Sequence, residues 1–242
     1  MRDHWKGGRH LHLPGRIMVD SQGHIERVTR SKKEARATYN QLSRWYDLLG
    51  SASEWRLVQA GLCLLDAKEG EQVLEIGPGT GRALVALARA VGESGRVRGV
   101  DISEGMLRIA REKVCKAALA QRVELVGGDA TDLPFASNSF DAAFMSLALE
   151  LFDTPEIPQV LGECTRVLRL GGRLGVVAMS RKGGIGAMLR LYEWAHRRFP
   201  RYVDCRPIYA EQALLDAGFE VVESAAGGIW GLPVEMILAV RG

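Results

Sequence analysis

The chain has few cysteines and no pair of them spaced to share a metal. Cys63, Cys115, Cys164 and Cys205 are each separated from the next by dozens of residues. No C-x-x-C pair exists, so neither a zinc site nor a disulfide framework is expected, and free thiols fit a reducing cytoplasm. No run of eighteen apolar residues occurs, which excludes a transmembrane helix as a sequence expectation. The N-terminal stretch MRDHWKGGRHLHLPG has no apolar core and does not read as a secretory signal. Internal repeats and low-complexity tracts are also missing. No nucleic-acid module is visible: there are no zinc fingers and no RNP-type aromatics, and the net charge is only +3.

What remains is an ordinary globular balance, 47% hydrophobic and 25% charged over 242 residues. That length suits one α/β domain with short additions and can bury a sizeable core. The charge is unevenly placed. Residues 1–36 hold nine Lys/Arg against four Asp/Glu, and residues 181–206 hold seven against two, a local +5 in each case. Such patches suit anionic surfaces or substrates.

Residues 1–30 carry no sustained period and hold His4, His10, His12 and His24. They are read as a loosely ordered basic arm rather than a metal-binding tail. Ser31 with Glu34 fits a capping box, and residues 31–66 read as an N-terminal helical cap: one helix follows the Ser31 cap through Tyr39, Leu42, Trp45, Tyr46 and Leu49 to Gly50, and a second runs about Ser53–Asp66. From residue 67 the rhythm changes to short apolar strands alternating with helices. Strands are expected at Val73–Gly77, Arg96–Asp101, Val123–Val126, Phe140–Ser146 and Arg173–Met179. Helices are expected at Arg82–Val91, from Ser103 to about Ala120, and from Thr154 to about Leu168, with Pro155 at the first position and Gly171-Gly172 as the stop. After a basic segment at 181–206, a helix at Tyr209–Ala217 and strands at Phe219–Glu223 and Met236–Val240 close the chain. This alternation predicts an α/β fold: a seven-stranded, mostly parallel sheet with helices on both faces and an antiparallel C-terminal strand. Runs such as VLEIG, DAAFMS and LGVVAM are apolar enough for strands buried on both faces.

The chemistry gathers where these strands end. Val73-Leu74-Glu75-Ile76-Gly77-Pro78-Gly79-Thr80-Gly81 is a strand entering a glycine turn and then a helix start. Glycines allow positive φ and a close backbone approach by a ligand. A dinucleotide loop reads G-x-G-x-x-G and seats a pyrophosphate on the helix N-terminus. Here the spacing is G-x-G-x-G, with Arg82 at the third dinucleotide glycine. Glu75 would repel a pyrophosphate and suits a cationic ligand. Asp101 ends the second strand, where a carboxylate can accept from both ribose hydroxyls, unless it only supports the helix start at Ser103. Gly128, Asp129 and Ala130 follow the third strand, where an acid can accept from an adenine amino group or simply make a turn. Successive strand ends are where open α/β sheets bind ligands.

The stretches VLEIGPGTG, GVDISEGML, GGDATDLPFASNSFDAAF and RVLRLGGRL, in this order, resemble the class I methyltransferases that use S-adenosylmethionine (SAM). The closest likeness within them is to the ubiquinone/menaquinone-biosynthesis type, over roughly residues 38–180. The resemblance implies a Rossmann-like fold and SAM as cofactor, with S-adenosylhomocysteine as product. It implies that Glu75, Gly77, Pro78, Gly79, Thr80 and Gly81 line the methionine half, that Asp101 holds the ribose beside Ser103, and that Ile102 and Met106 sandwich the adenine. Gly128, Asp129 and Ala130 would touch the adenine edge, and Tyr46 of the Tyr46-Asp47 pair would help to close the pocket. Leu170 stands where the family's R-V-L-K-P-G-G turn has a proline.

SAM is already activated, so such an enzyme mainly aligns acceptor, methyl and sulfur and excludes water. Acceptor contacts are expected from Ser146, Leu147 and Glu150 at the fourth strand end, from the N-terminal helix, and from a lid-like insertion at 181–206. No residue declares itself as a base. His196, Tyr192, Tyr46 and Glu150 are the candidates. In the insertion, Ile185, Met188, Leu189, Tyr192, Ala195 and Phe199 recur at helical spacing among arginines, which suits a lid or a helix touching anionic lipid at the inner membrane face. The acceptor is expected to be small or lipid-like: a quinol, phospholipid amine, phenol or thiol. A non-catalytic SAM-binding regulator and an NAD-dependent oxidoreductase are the alternatives, the latter opposed by the loop spacing and the lack of a Tyr-x-x-x-Lys dyad. Neither a metal nor a nucleic-acid partner is expected, and the oligomeric state is left open.

Overall fold

The computed structural model describes residues 52–182, 205–229 and 231–242, together with Glu34, Ala37, Thr38, Trp194 and Arg198. The expected arm, the expected helix through Tyr39 and Leu49 with Tyr46, and Tyr192, His196 and all six residues of the apolar stripe lie outside them. Glu34, Ala37 and Thr38 are helical, and the Thr38 hydroxyl donates to the Glu34 carbonyl at 3.0 Å.

Seven strands make one sheet: β1 Gln72–Ile76, β2 Arg96–Asp101, β3 Val123–Gly127, β4 Phe140–Ser146, β5 Leu168–Met179, β6 Phe219–Ile229 and β7 Leu232–Arg241. Their order is β3-β2-β1-β4-β5-β7-β6. Pairs among β1–β5 are parallel, and β7 runs antiparallel to both β5 and β6. Helices cover both faces, as the strand–helix alternation predicts. The side-chain period of two sorts β1 into Leu74 and Ile76 on one face and Val73 on the other. The first face packs on α4 (Ile157–Val167) and α5 (Ala210–Asp216). The second packs on α1 (Ala52–Leu65), α2 (Arg82–Ala90) and α3 (Glu104–Lys116).

Several boundaries differ from the sequence expectation, each for a local reason. The helix after β4 starts at Ile157, not at a Thr154 cap with Pro155. Asp153 and Glu156 organise a preceding turn: the Asp153 N–H donates to the Glu156 carboxylate at 3.1 Å, and the Glu156 N–H to the Asp153 carbonyl at 2.8 Å. Gly171-Gly172 do not stop α4. The helix ends at Val167 and β5 begins at once, with a register irregularity opposite Phe140–Ala142 that absorbs the two glycines. The third helix ends at Lys116 because Ala118 takes φ +58, a left-handed terminus. The last two strands run on toward each other as one long hairpin.

Arg173 of β5 ties the entry of the domain together. Its guanidinium donates to the Leu65 carbonyl at the end of α1 and to both Glu71 carboxylate oxygens just before β1. Above it, α1 lies close on the sheet because position 61 has no side chain. A Cβ there would sit 2.3 Å from Val177 Cγ2.

Glycine is a poor helix former, so Gly→Ala in a helix interior ordinarily stabilises by about 0.5–1 kcal/mol. Gly162 on α4 has open space for a Cβ, and Gly162→Ala should gain about that amount. At Gly61 the overpacking cost of about 1–3 kcal/mol wins, so Gly61→Ala should lower the urea midpoint. Two shifts of the same sign would refute the close α1–sheet contact.

Candidate functional site

The glycine loop joins β1 to α2 with three left-handed residues, Gly77, Gly79 and Gly81 at φ +68, +53 and +82. The Gly81 N–H closes the turn on the Pro78 carbonyl at 2.8 Å, and the Gly77 N–H reaches the Val100 carbonyl of β2 at 2.9 Å. Gly81 packs against α3, where a Cβ would lie 3.1 Å from the Ala110 backbone. Gly79 instead faces nothing within 4 Å. The crest of the loop therefore leaves room for a ligand against bare backbone.

Two carboxylates flank this space. Asp101 at the end of β2 accepts from the Gly79 N–H at 3.3 Å and from the Ser103 N–H at 2.8 Å. It thus braces the glycine loop against the next helix. The helix start is capped separately, since the Ser103 hydroxyl accepts from the buried Met106 N–H at 3.2 Å. Glu75 is buried, and its Oε2 has no hydrogen-bond partner among the described residues. Burial, helped by the nearby Asp101 charge, pushes its carboxyl up to about 8 from an ordinary 4.5. Burial also raises Asp101 to about 6, against the pull of the Ser103 and Gly79 N–H groups. A buried acid with an unpartnered oxygen, near Asp101 and in the strand that leads into a bare-glycine crest, fits a ligand that brings a cationic amine. It does not fit one that brings phosphate.

Beyond β3, Asp129 accepts from the Thr131 N–H at 3.0 Å and its hydroxyl at 2.8 Å, shaping a turn that buries Ala130. A feature not legible in the sequence supports this turn. Arg166 of α4 donates to the carbonyls of Phe135 and Leu133 at 2.6 and 2.9 Å, while its ion-pair partner Glu163 accepts from the Leu133 N–H at 2.7 Å. The only sequence signal was a Glu-x-x-Arg spacing, common on any helix surface. Lys113 of α3 likewise reaches the Thr80 hydroxyl at 3.2 Å. On the other side of the loop, Arg82 stacks over Trp55 of α1, 4.4 Å from the ring centroid.

Ser146 and Leu147 lie partly buried at the end of β4. Leu147 takes φ +51, a conformation that costs a branched side chain about 1–2 kcal/mol, and its N–H donates to the Val177 carbonyl at 2.7 Å. The next residue touches the glycine loop: a Cβ at Gly77 would come within 2.9 Å of the Ala148 methyl. Leu147 also joins Met179, Leu232 and Cys205 in a small apolar cluster. Glu150 is fully buried, and its Oε1 accepts from the Met179 N–H at 3.0 Å. Glu75, the glycine loop, Asp101, Asp129 and the β4 exit thus come together along one sheet rim, while Tyr46, Tyr192 and His196 lie outside the described residues.

A methyltransferase-domain family model matches residues 73–172. The demethylmenaquinone methyltransferases of Bacillus mycoides and Bacillus cereus are each 34% identical over 164 residues, covering 66% of this chain and 68% of theirs. Among solved structures, a SAM-dependent methyltransferase of Aquifex aeolicus aligns over 83% of this chain and 98% of its own, with TM-score 0.62 and 24% identity. A putative methyltransferase of Haloferax volcanii aligns over 85% and 96%, with TM-score 0.69 and 20% identity. These two likenesses establish the fold.

The raised carboxyls predict how the ligand-free protein responds to pH. Glu75 holds its proton more tightly folded than unfolded, so its contribution is fully present below about 4.5 and lost as pH rises through about 8. Asp101 acts in the same direction at lower pH. The urea midpoint should fall across that window, and Glu75→Gln should flatten the fall. Binding of a cationic amine expels the proton, so its affinity should rise over the same range. A flat wild-type profile would show that Glu75 does not carry the proton.

Proposed function

The chain belongs to the class I SAM-dependent methyltransferases of the menaquinone-biosynthesis type, and from that premise we propose that its acceptor is a quinol-like aromatic ring with an apolar body. The enzyme binds SAM and transfers its methyl group. The oxidoreductase and non-catalytic alternatives fall with this membership. The observation that carries the acceptor reading is the 34% identity to demethylmenaquinone methyltransferases over 164 residues. The apolar cluster of Leu147, Met179, Leu232 and Cys205 beside the β4 exit supports it, since an amine or small thiol would gain little from such a wall.

In this reading the bound cofactor supplies an electrophilic methyl on a positively charged sulfur. Glu75 takes the ammonium of the methionine half, and the backbone crest at Gly79 lies against it. Asp101 accepts from the ribose hydroxyls, Ile102 and Met106 bracket the adenine, and Asp129 with Gly128 and Ala130 lines its edge. Leu147 and Ser146 hold the acceptor side of the transfer. The stretch about 181–206 covers the acceptor and meets anionic lipid through its arginines. Trp194, 52% exposed, supports that contact with the headgroup region. Among the described residues, no helix is long and apolar enough to cross a membrane.

SAM or S-adenosylhomocysteine at a hundredfold its Kd should stabilise the protein by about 2.7 kcal/mol, a rise in Tm of about 5–10 °C, while NADH does nothing. Asp101→Ala should weaken SAM binding by about tenfold to a hundredfold in a folded protein. Calorimetry with unchanged affinity would remove Asp101 from the site.

The acceptor is tested by S-adenosylhomocysteine release with demethylated naphthohydroquinones, phospholipid amines, phenols and thiols side by side. The hydroquinone should turn over fastest, and faster still in anionic vesicles at low salt. Preference for a water-soluble amine or thiol, with no vesicle effect, would overturn both the quinol and the membrane parts.

A further inference from the structure

Four ionisable side chains are buried among the described residues: Glu75, Glu150, Arg206 and Glu235. Glu75 belongs to the glycine loop. The other three come from separate parts of the chain, yet all meet the two roots of the stretch between Lys182 and Cys205. At the outgoing root, the Met179 N–H donates to Glu150 at 3.0 Å, and Lys182 pairs with Glu235 at 3.0 Å and with Glu211 of α5. At the returning root, Arg206 donates to the Thr154 hydroxyl at 3.1 Å and to the Phe152 carbonyl. The roots are also bonded to each other. The Ile208 N–H donates to the Met179 carbonyl and the Arg181 N–H to the Ile208 carbonyl, both at 3.0 Å.

Glu150, from within the short turn at residues 149–154, and Arg206, reaching back to it, thus fasten the two roots to that turn. That turn follows directly on Leu147 and Ala148, which border the glycine loop. Buried ions cost several kcal/mol to desolvate, and apolar replacements are often as stable. Three such groups at one place are better explained by the geometry they impose than by stability.

We propose that Glu150 and Arg206 are positioning residues for the acceptor. They tie Met179 and Cys205–Arg206 to the turn after β4, and so fix the apolar wall of Leu147, Met179, Leu232 and Cys205 against which the acceptor lies. The proposal rests on the reading that the acceptor enters beside this turn. It also removes Glu150 from the candidate bases. Its side chain is at 0% exposure, with one oxygen engaged by the β5 backbone.

The experiment compares Glu150→Ala, Glu150→Gln, Arg206→Met and Thr154→Val in the full chain. It reads SAM affinity by calorimetry, acceptor KM and kcat with pH profile, and hydrogen exchange at Met179, Arg181 and Ile208. Glu150→Ala and Arg206→Met should raise acceptor KM about tenfold and speed exchange at the three amides, with SAM affinity within about twofold. Glu150→Gln keeps an oxygen that accepts the Met179 N–H, so it should restore both values and leave the pH profile unchanged. Thr154→Val removes one Arg206 bond and should act in the same direction, less strongly, should Arg206→Met not fold. The proposal is overturned if Glu150→Gln is as inactive as Glu150→Ala and loses a limb of the pH profile, which would make Glu150 the base. Unchanged KM and exchange in folded Glu150→Ala and Arg206→Met would overturn it as well. If the wild type methylates no tested acceptor, the quinol reading fails alone, because exchange and SAM affinity still decide the anchoring.

Discussion

A parallel sheet covered by helices on both faces has little room for charge except at the rim where its strands end. Every buried ionisable side chain among the described residues obeys this constraint. Glu75 ends β1, Glu150 follows β4, and Arg206 leads into α5 opposite the end of β5. Glu235 sits near the start of β7, but β7 runs antiparallel, so its pairing with Ala178 brings it to the same rim. The fully buried middles of β1, β4 and β5 hold apolar layers, and those layers leave the rim as the place for a polar ligand.

The rim divides into two halves with different physics. The half built on β1, β2 and β3 is acidic, with glycine backbone, a buried Glu75 oxygen without a partner among the described residues, and Asp101 and Asp129 holding the adjoining turns. The half built on β4, β5 and β7 is apolar at its surface, with Leu147, Met179 and Leu232, and its charges are engaged inside it. Where the two halves meet above the β1–β4 pairing, a Cβ at position 77 would come within 2.9 Å of the Ala148 methyl. The left-handed Leu147 beside this point is an unfavourable conformation held by its bond to Val177, and such strain is commonly kept where a site needs a fixed corner.

Outside the rim, side chains from neighbouring helices brace the loops. Arg166 and Glu163 reach across from α4 to hold the loop after Asp129, and Arg82 stacks on Trp55 to join the glycine-loop helix to α1. The loops are thereby preorganised by packing rather than by ligand alone, which lowers the ordering cost of binding.

The cofactor half was legible in the sequence because it depends on local rules. A glycine needed at positive φ, an acid two residues before it and a hydroxyl at a helix cap are all written within a few residues of one another. The strand–helix alternation likewise announced the parallel sheet and its antiparallel end. Boundaries were missed where a neighbour outvoted a familiar signal, as when the Asp153–Glu156 turn displaced the Thr154 cap and β5 absorbed the two glycines after α4. The half built on β4, β5 and β7 was not legible. Glu150 stood out only as an acid near a strand end and Arg206 only as one of seven basic residues in its segment. Their partners Met179 and Phe152 lie 29 and 54 positions away and are backbone groups, which carry no residue-type signal. Local chemistry therefore determined which cofactor the chain holds, whereas chain crossing at the sheet rim decided how the ends of β4, β5 and β7 are tied together.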